Sequence, residues 1–216
     1  AAEDLPMALH DMIKDTIAAH KRIIFNGNGY SDEWVVEAER RGLPNIKCMV
    51  DAVPALVKPE AVEIFEKHGV YTKAEMESRA EVMYETYSKT INIEALTMID
   101  MAKKQIVPAT IKYQTSLAES VNAIKAASSA VDTSVQEALM ADISTNLKDM
   151  YAALAHLEEV AGKAEAMEEG AEQGHYYHDV VFTAMDELRK PADKLEMLVA
   201  KSAWPFPSYG DLIFEV

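Results

Sequence analysis

Residues 89–113 read Lys89-Thr-Ile-Asn-Ile-Glu-Ala-Leu-Thr-Met-Ile-Asp-Met-Ala-Lys-Lys-Gln-Ile-Val-Pro-Ala-Thr-Ile-Lys-Tyr113, and their spacing decides the fold class. At 100° per residue Ile91, Ala95, Met98, Ile99, Ala102, Ile106 and Ala109 share one helical face. Ile93, Leu96 and Val107 form a second apolar stripe. Asn92, Asp100 and Lys103 lie in or beside the stripes, while Thr97 and Lys104 point away. A helix with two apolar stripes packs against more than one neighbour, so the expectation is the central pillar of a helical bundle.

Working outward, the same period recurs along the chain. Asp4 is a candidate N-cap with Pro6 in the first turn, and Leu5, Leu9, Met12, Ile13 and Ile17 keep helical spacing to about Lys21. Asn26-Gly-Asn-Gly29 is a loop. It lacks the Gly-Lys-Ser/Thr ending of a phosphate loop, since Tyr30-Ser31 follows, and reads as a turn before a helix capped by Ser31. That helix stops at Gly42. Pro44, Pro54 and Pro59 punctuate an irregular stretch, and a short helix follows up to Gly69. Thr72-Lys-Ala-Glu75 is a capping box that opens the long helical region. Pro108 removes one backbone bond and is expected to kink it. Val135, Leu139, Ile143, Leu147, Met150, Leu154, Leu157 and Ala161 form a clean bundle seam. Residues 163–174, with Gly162, Gly170 and Gly174, read as a polar acidic connection. A last helix runs from about His175 to Lys201 on Val181, Met185, Leu188, Ala192, Leu195 and Val199, again with a proline, Pro191. The expected fold is all-α: an antiparallel helical bundle with long kinked helices and an extended aromatic C-terminal tail.

Composition narrows the function classes. Of 216 residues 49% are hydrophobic, enough for a sizeable core, and the formal net charge is −15. That charge disfavours nucleic acid and anionic membranes, which need clustered Lys and Arg. No apolar run is long enough for a membrane span. One cysteine, Cys48, cannot form an internal disulfide, so a reducing cytoplasm is expected. The opening Ala-Ala-Glu-Asp-Leu-Pro has neither a secretory leader pattern nor an initiator Met, and reads as a piece of something longer.

Few residues suggest chemistry. His175, His178 and Asp179 cluster near a helix start, and residues three apart share a face. Their spacing matches no zinc motif, and two imidazoles are too few for a catalytic metal. The expectation is no metal, these three being the candidates if one binds. Glu158, Glu159, Glu165, Glu168, Glu169 and Glu172 read as a solvated face. The twelve methionines read mainly as core filling. Trp204-Pro-Phe-Pro207 is different, because two prolines hold an extended backbone and two aromatics offer contact area. Trp204, Phe206 and Tyr209 are therefore interaction candidates. They dock on their own bundle, on a neighbouring subunit or on another part of the parent chain.

Several stretches carry a resemblance: Asn26-Gly-Asn-Gly-Tyr-Ser-Asp-Glu-Trp34, Glu37-Ala-Glu-Arg-Arg-Gly-Leu-Pro-Asn45, Lys89-Thr-Ile-Asn-Ile-Glu-Ala95, Met98-Ile-Asp-Met-Ala-Lys103 and Trp204-Pro-Phe-Pro-Ser-Tyr209. Together they resemble the C-terminal region of type III glutamine synthetase. Asp4-Leu-Pro-Met-Ala-Leu-His-Asp-Met12 is similar to the segment closing the catalytic domain in that family. The likeness is weakest over 115–170. It implies a parent ligase that makes glutamine from glutamate, ammonia and ATP, with Mg or Mn ions neutralising phosphates. It also implies that the catalytic, nucleotide and metal residues lie upstream, so no such residue and no cofactor is assigned to this segment. Residues 1–70 would be the helical tail of the catalytic domain with a connecting segment, and 71–216 a C-terminal helical bundle. The expected role is structural. The partners would be the chain's own catalytic domain and the other subunits of a homo-oligomer, in the cytoplasm, with neither nucleic acid nor membrane. Two rival expectations stay open. One is a free-standing helical binding or sensor module. The other is a regulatory domain taking glutamine or 2-oxoglutarate in a polar pocket near Asn92, Asp100 or His156.

Overall fold

The computed structural model describes residues 4–214, apart from the side chain of Tyr209. Among these residues every regular element is helical, as the spacing predicts. The helices are α1 (Leu5–His20), α2 (Asp32–Arg40), α3 (Met49–Leu56), α4 (Pro59–Lys67), α5 (Lys73–Met101), α6 (Val107–Ala127), α7 (Ser134–Glu165), α8 (Ala171–Tyr176), α9 (Phe182–Leu198) and α10 (Tyr209–Phe214). The expected starts hold at two sites. Asp4 Oδ1 accepts the Met7 N–H at 3.3 Å. Thr72 and Glu75 form the reciprocal box, with the Thr72 N–H donating to Glu75 at 2.8 Å and the Glu75 N–H to Thr72 Oγ1 at 3.3 Å. Ser31 sits at the N-cap of α2 but its hydroxyl donates backwards, to the Asn28 carbonyl at 3.2 Å.

The chain divides into two compact units, one up to Lys47 and one from Cys48. The first holds α1, the 3₁₀ turn Lys21–Ile23 and α2. The second holds everything else. Val50 and Val53 of α3 are buried against Ala80 and Tyr84 of α5, which ties 48–70 to the bundle. The Tyr84 hydroxyl donates to the Val50 carbonyl at 3.4 Å. Gly174 of α8 completes this contact. A Cβ there would come within 3.1 Å of the Tyr84 ring and 3.3 Å of Val50.

The bundle core forms around α7. Ile143, Met150, Leu154 and Leu157 are fully buried, facing Ile91, Ala95 and Ile106 on one side and Val181, Leu188 and Leu195 on the other. Three polar ties fix an antiparallel register with the α5–α6 arm. Lys125 pairs with Glu137, Gln114 Nε2 donates to the Met140 carbonyl at 3.3 Å, and Lys103 pairs with Glu158. As one index falls, the other rises.

Besides α3, a helix that holds Pro54 within the stretch expected to be irregular, the long helices depart from the sequence expectation in three ways. First, the pillar is α7. The α5–α6 arm buries only one stripe, since Ile93 is 65% exposed and Leu96 48%, while Val107 is partly buried. Second, Pro108 is absorbed by a π-turn over Ala102–Ile106. There the Val107 N–H bonds back to the Ala102 carbonyl, five residues away, and the widened turn makes room for the proline ring at the start of α6. A second π-turn, Tyr177–Val181, joins α8 to α9 with no proline to mark it. Third, the helix expected to end near Gly162 runs on to Glu165, burying Ala164. Gly170, at φ +135°, makes the turn, and Gln173 Nε2 donates to the buried Ala164 carbonyl, which lies in the last turn of α7, at 3.1 Å. The tail is extended only in part, because it closes in α10.

Leu157→Ala is expected to cost about 2–5 kcal/mol, because it leaves a cavity where three elements meet. Leu96→Glu is expected to leave the fold intact. Thermal melts followed by circular dichroism separate the two. Comparable destabilisation by both would show that the outer stripe is part of the core.

Candidate functional site

The metal candidates are brought to different carboxylates. His178 Nδ1 lies 2.7 Å from Asp179 Oδ1, on its own turn. His175 Nδ1 lies 3.7 Å from Asp51 Oδ1, on α3. Among the described residues no three His, Cys, Asp or Glu side chains meet so as to hold a metal ion.

Asp51 has a second neighbour that sequence reasoning missed. The Cys48 thiol donates to its Oδ2 at 3.0 Å. That carboxylate pushes the thiol up from its ordinary value. Burial adds to the effect, and the amides at the start of α3 oppose it. Cys48 and Asp51 lie three residues apart at the start of α3, whereas His175 is distant in sequence, and only the packing of α3 and α8 against α5 brings it to them. The arrangement protonates the sulfur instead of activating it. Tyr87, nearby, also titrates above its usual value, chiefly through burial.

The aromatic tail settles on the bundle. Trp204 and Phe206 pack against the core formed by α7 and α9, and their rings meet edge to face at 6.3 Å between centroids. Of the three docking readings left open, the structure places these two side chains on their own bundle. The Tyr209 side chain lies outside the described residues. Ser208 and Asp211 form a reciprocal cap on α10, with the Ser208 N–H donating to Asp211 Oδ2 at 2.7 Å. Lys201 Nζ lies 2.5 Å from the other oxygen. Lys201 first and Ser208 second hold the Asp211 carboxyl down at about 2.

The polar residues proposed for a metabolite pocket do not share surroundings. Asp100 is exposed and paired with Lys104, and His156 is exposed. Asn92 is half-buried with Oδ1 unpartnered. A groove of about 770 Å³ lies between α4 and the start of α5. Along its lining Glu66 accepts the Lys73 backbone N–H at 3.0 Å, and the Lys73 amine lies 3.5 Å from Glu77.

The first unit holds a compact polar knot built from residues that also carried the resemblance. Glu37 accepts from Arg40 at 2.6 and 2.7 Å and from Arg41 at 2.6 Å. The Arg40 and Arg41 guanidinium groups hold its carboxyl down to about 2. Arg41 also donates to the Arg22 carbonyl at 2.8 Å and lies 5.8 Å from the Trp34 ring, which stacks on Phe25 at 4.0 Å. The i, i+3 and i, i+4 spacing of Glu37, Arg40 and Arg41 was readable beforehand, whereas the link to Arg22 was not.

These observations define a helical bundle preceded by a polar helical unit, with no metal-binding cluster among the described residues. A family model described as glutamine synthetase C-terminal domain matches residues 8–125. The chain belongs to that family. A glutamine synthetase of Butyrivibrio fibrisolvens is 37% identical over 216 residues, covering 100% of this chain and 31% of its own length. The type-3 glutamine synthetase of Dictyostelium discoideum is 29% identical over 211 residues, covering 96% of this chain and 29% of its own. A glutamine synthetase of Bacteroides fragilis shows the same 29% identity over 211 residues. The chain thus spans about 30% of the length of these relatives. No helix among the described residues is long and apolar enough to cross a membrane.

Two outcomes are expected. Asp51→Asn removes the charged acceptor, so the Cys48 thiol titrates lower and iodoacetamide alkylation at pH 8 accelerates roughly severalfold. An unchanged rate would show that burial, not Asp51, protects the sulfur. The Asp211 carboxyl titrates below its ordinary value of 3.8 in the folded state. Its contribution to tail docking is therefore full above about pH 4 and is lost as pH falls toward 2. Trp204 fluorescence in a Trp34→Phe background reads the transition, and Lys201→Met shifts its midpoint to higher pH.

Proposed function

We propose that this chain is the helical C-terminal part of a type III glutamine synthetase and that its work is structural. It extends the subunit and supplies contacts to the catalytic domain and to other subunits of a homo-oligomer. The parent enzyme, on this reading, is a cytoplasmic ligase that joins ammonia to glutamate with ATP and Mg or Mn. The residues for those steps lie outside the chain described here.

One observation carries the reading. The apolar stripe of α1, with Leu5, Leu9, Met12, Ile13 and Ile17, is exposed along its whole length, and no residue of the helix is buried. A lone helix of 16 residues is marginal in water, and most helical stability comes from packing an apolar face. Across the described residues of the first unit Ala38 is the one buried side chain. Such a segment is stable when something apolar covers it. The relatives are about three times as long as this chain, and we take the catalytic domain expected in the remainder as that cover.

The test pairs two backgrounds. Leu9→Asp with Met12→Asp is expected to leave the thermal melt of the 216-residue chain unchanged, since both side chains are already exposed. In a full-length type III glutamine synthetase carrying this segment, the same pair is expected to lower the melting temperature and the activity together. Removing the chain from residue 72 onward is expected to break the native assembly, as read by sedimentation velocity. A full-length enzyme that keeps its assembly and activity through both changes would remove the structural reading.

A further inference from the structure

We propose that the outer face of α5 pairs antiparallel with the same face of a second copy of this chain, about a two-fold axis midway between Ile93 and Leu96. The inference deepens the subunit-contact reading above and rests on it.

Ile93 and Leu96 stand on the side of α5 opposite Ile91, Ala95 and Ala102, and both are exposed. The charges around them are mirrored in position and opposite in sign. Lys89 and Asp100 lie equally far on either side of the midpoint, and so do Glu85 and Lys104. At 100° per residue Glu85, Lys89, Ile93, Leu96 and Asp100 fall on the same outward face, and Lys104, in the π-turn that follows α5, is held beside Asp100 by their ion pair. Within one chain they are already ordered in pairs, Lys89 with Glu85 and Lys104 with Asp100.

A two-fold operation through the midpoint sets Ile93 against Leu96 of the partner subunit. It sets Lys89 against Asp100 of the partner subunit, and Glu85 against Lys104 of the partner subunit. Every contact occurs twice, as an isologous interface requires. Each in-chain pair then becomes half of a four-charge group around an apolar centre. The pattern selects this arrangement. A parallel pairing would stack Lys89 on Lys89 and Asp100 on Asp100 at the same apolar centre, and like charges facing each other suppress the wrong register. Four apolar side chains are a small centre beside the roughly 1,600 Å² of an ordinary stable interface. The contact is therefore weak by itself, with a dissociation constant of about 10–100 μM, and suited to act as one of several contacts in a larger assembly.

Sedimentation equilibrium on the full 216-residue chain tests the pairing with two exposed-site variants, Lys89→Glu and Asp100→Lys. Circular dichroism confirms that each keeps its helical content. Each variant alone places two like-charge contacts in the homodimer, and its dissociation constant is expected to rise about tenfold. An equimolar mixture restores both opposite-charge contacts, because the new carboxylate at 89 meets the new amine at 100. The mixture is expected to associate as tightly as wild type. A mixture no tighter than the separate variants overturns the proposal, as does a wild-type chain that stays monomeric at about 1 mM. If wild type and both variants associate equally well, this face is not the interface; the proposal then falls while the subunit-contact reading stands.

Discussion

Burial of the α7 seam is the constraint on which the bundle depends. Ile143, Met150, Leu154 and Leu157 leave no exposed edge, so every other long helix takes its position by covering them. The α5–α6 arm covers one flank and α9 the other. Packing at that density tolerates little mismatch in helix register. The two π-turns fit this requirement. Each inserts one residue in a helix that must keep presenting apolar side chains to α7, and Ala102, Ile106, Tyr177 and Val181, which lie within them, are all buried. One of them also accommodates Pro108, so a residue that breaks an α-helix is held here without loss of the helical path.

The periphery follows other physics. Caps and most ion pairs are local and exposed, so they set element ends, while Lys103–Glu158, Lys125–Glu137 and Gln114 tie the α5–α6 arm to α7. Gln173 likewise links elements, since its amide satisfies the Ala164 carbonyl of α7 while the residue itself lies in α8. In the same region Asp51 receives the Cys48 thiol and neighbours His175, drawing α3 toward α8. In this group the Asp51 carboxylate keeps the Cys48 thiol protonated. Trp204 and Phe206 pack against the bundle core, while apolar side chains of α1 and of the outer face of α5 are among those left exposed.

Legibility differed by residue. The periodicity of 135–161 and the capping box at Thr72 were read correctly because both signals are local: a side-chain period and a four-residue hydrogen-bond motif. The role of 89–113 was misread because Ile93 and Leu96 are as apolar as Ile91. Composition reports that a stripe can be buried, and only a neighbour decides whether it is. The end of α7 was misplaced because Gly162 is a weak breaker, and its cost of about 1 kcal/mol is outweighed by burying Ala164. The second π-turn left no signal, since no proline or glycine is required inside it. The Cys48–Asp51 spacing of three was readable, but the approach of His175 was not, because a residue of α8 has no sequence spacing to α3.

By itself the sequence determined the helical class, most helix starts, the acidic character and, through long non-repetitive motifs, the family. These follow from properties of neighbours along the chain, which a linear string contains in full. The tertiary structure alone decided that α7 and not α5 is the axis, that Trp204 and Phe206 fold back on the bundle, and that α1 and the Ile93–Leu96 face remain uncovered. Those outcomes turn on which of several similar apolar surfaces meet, and that competition is settled by packing in three dimensions.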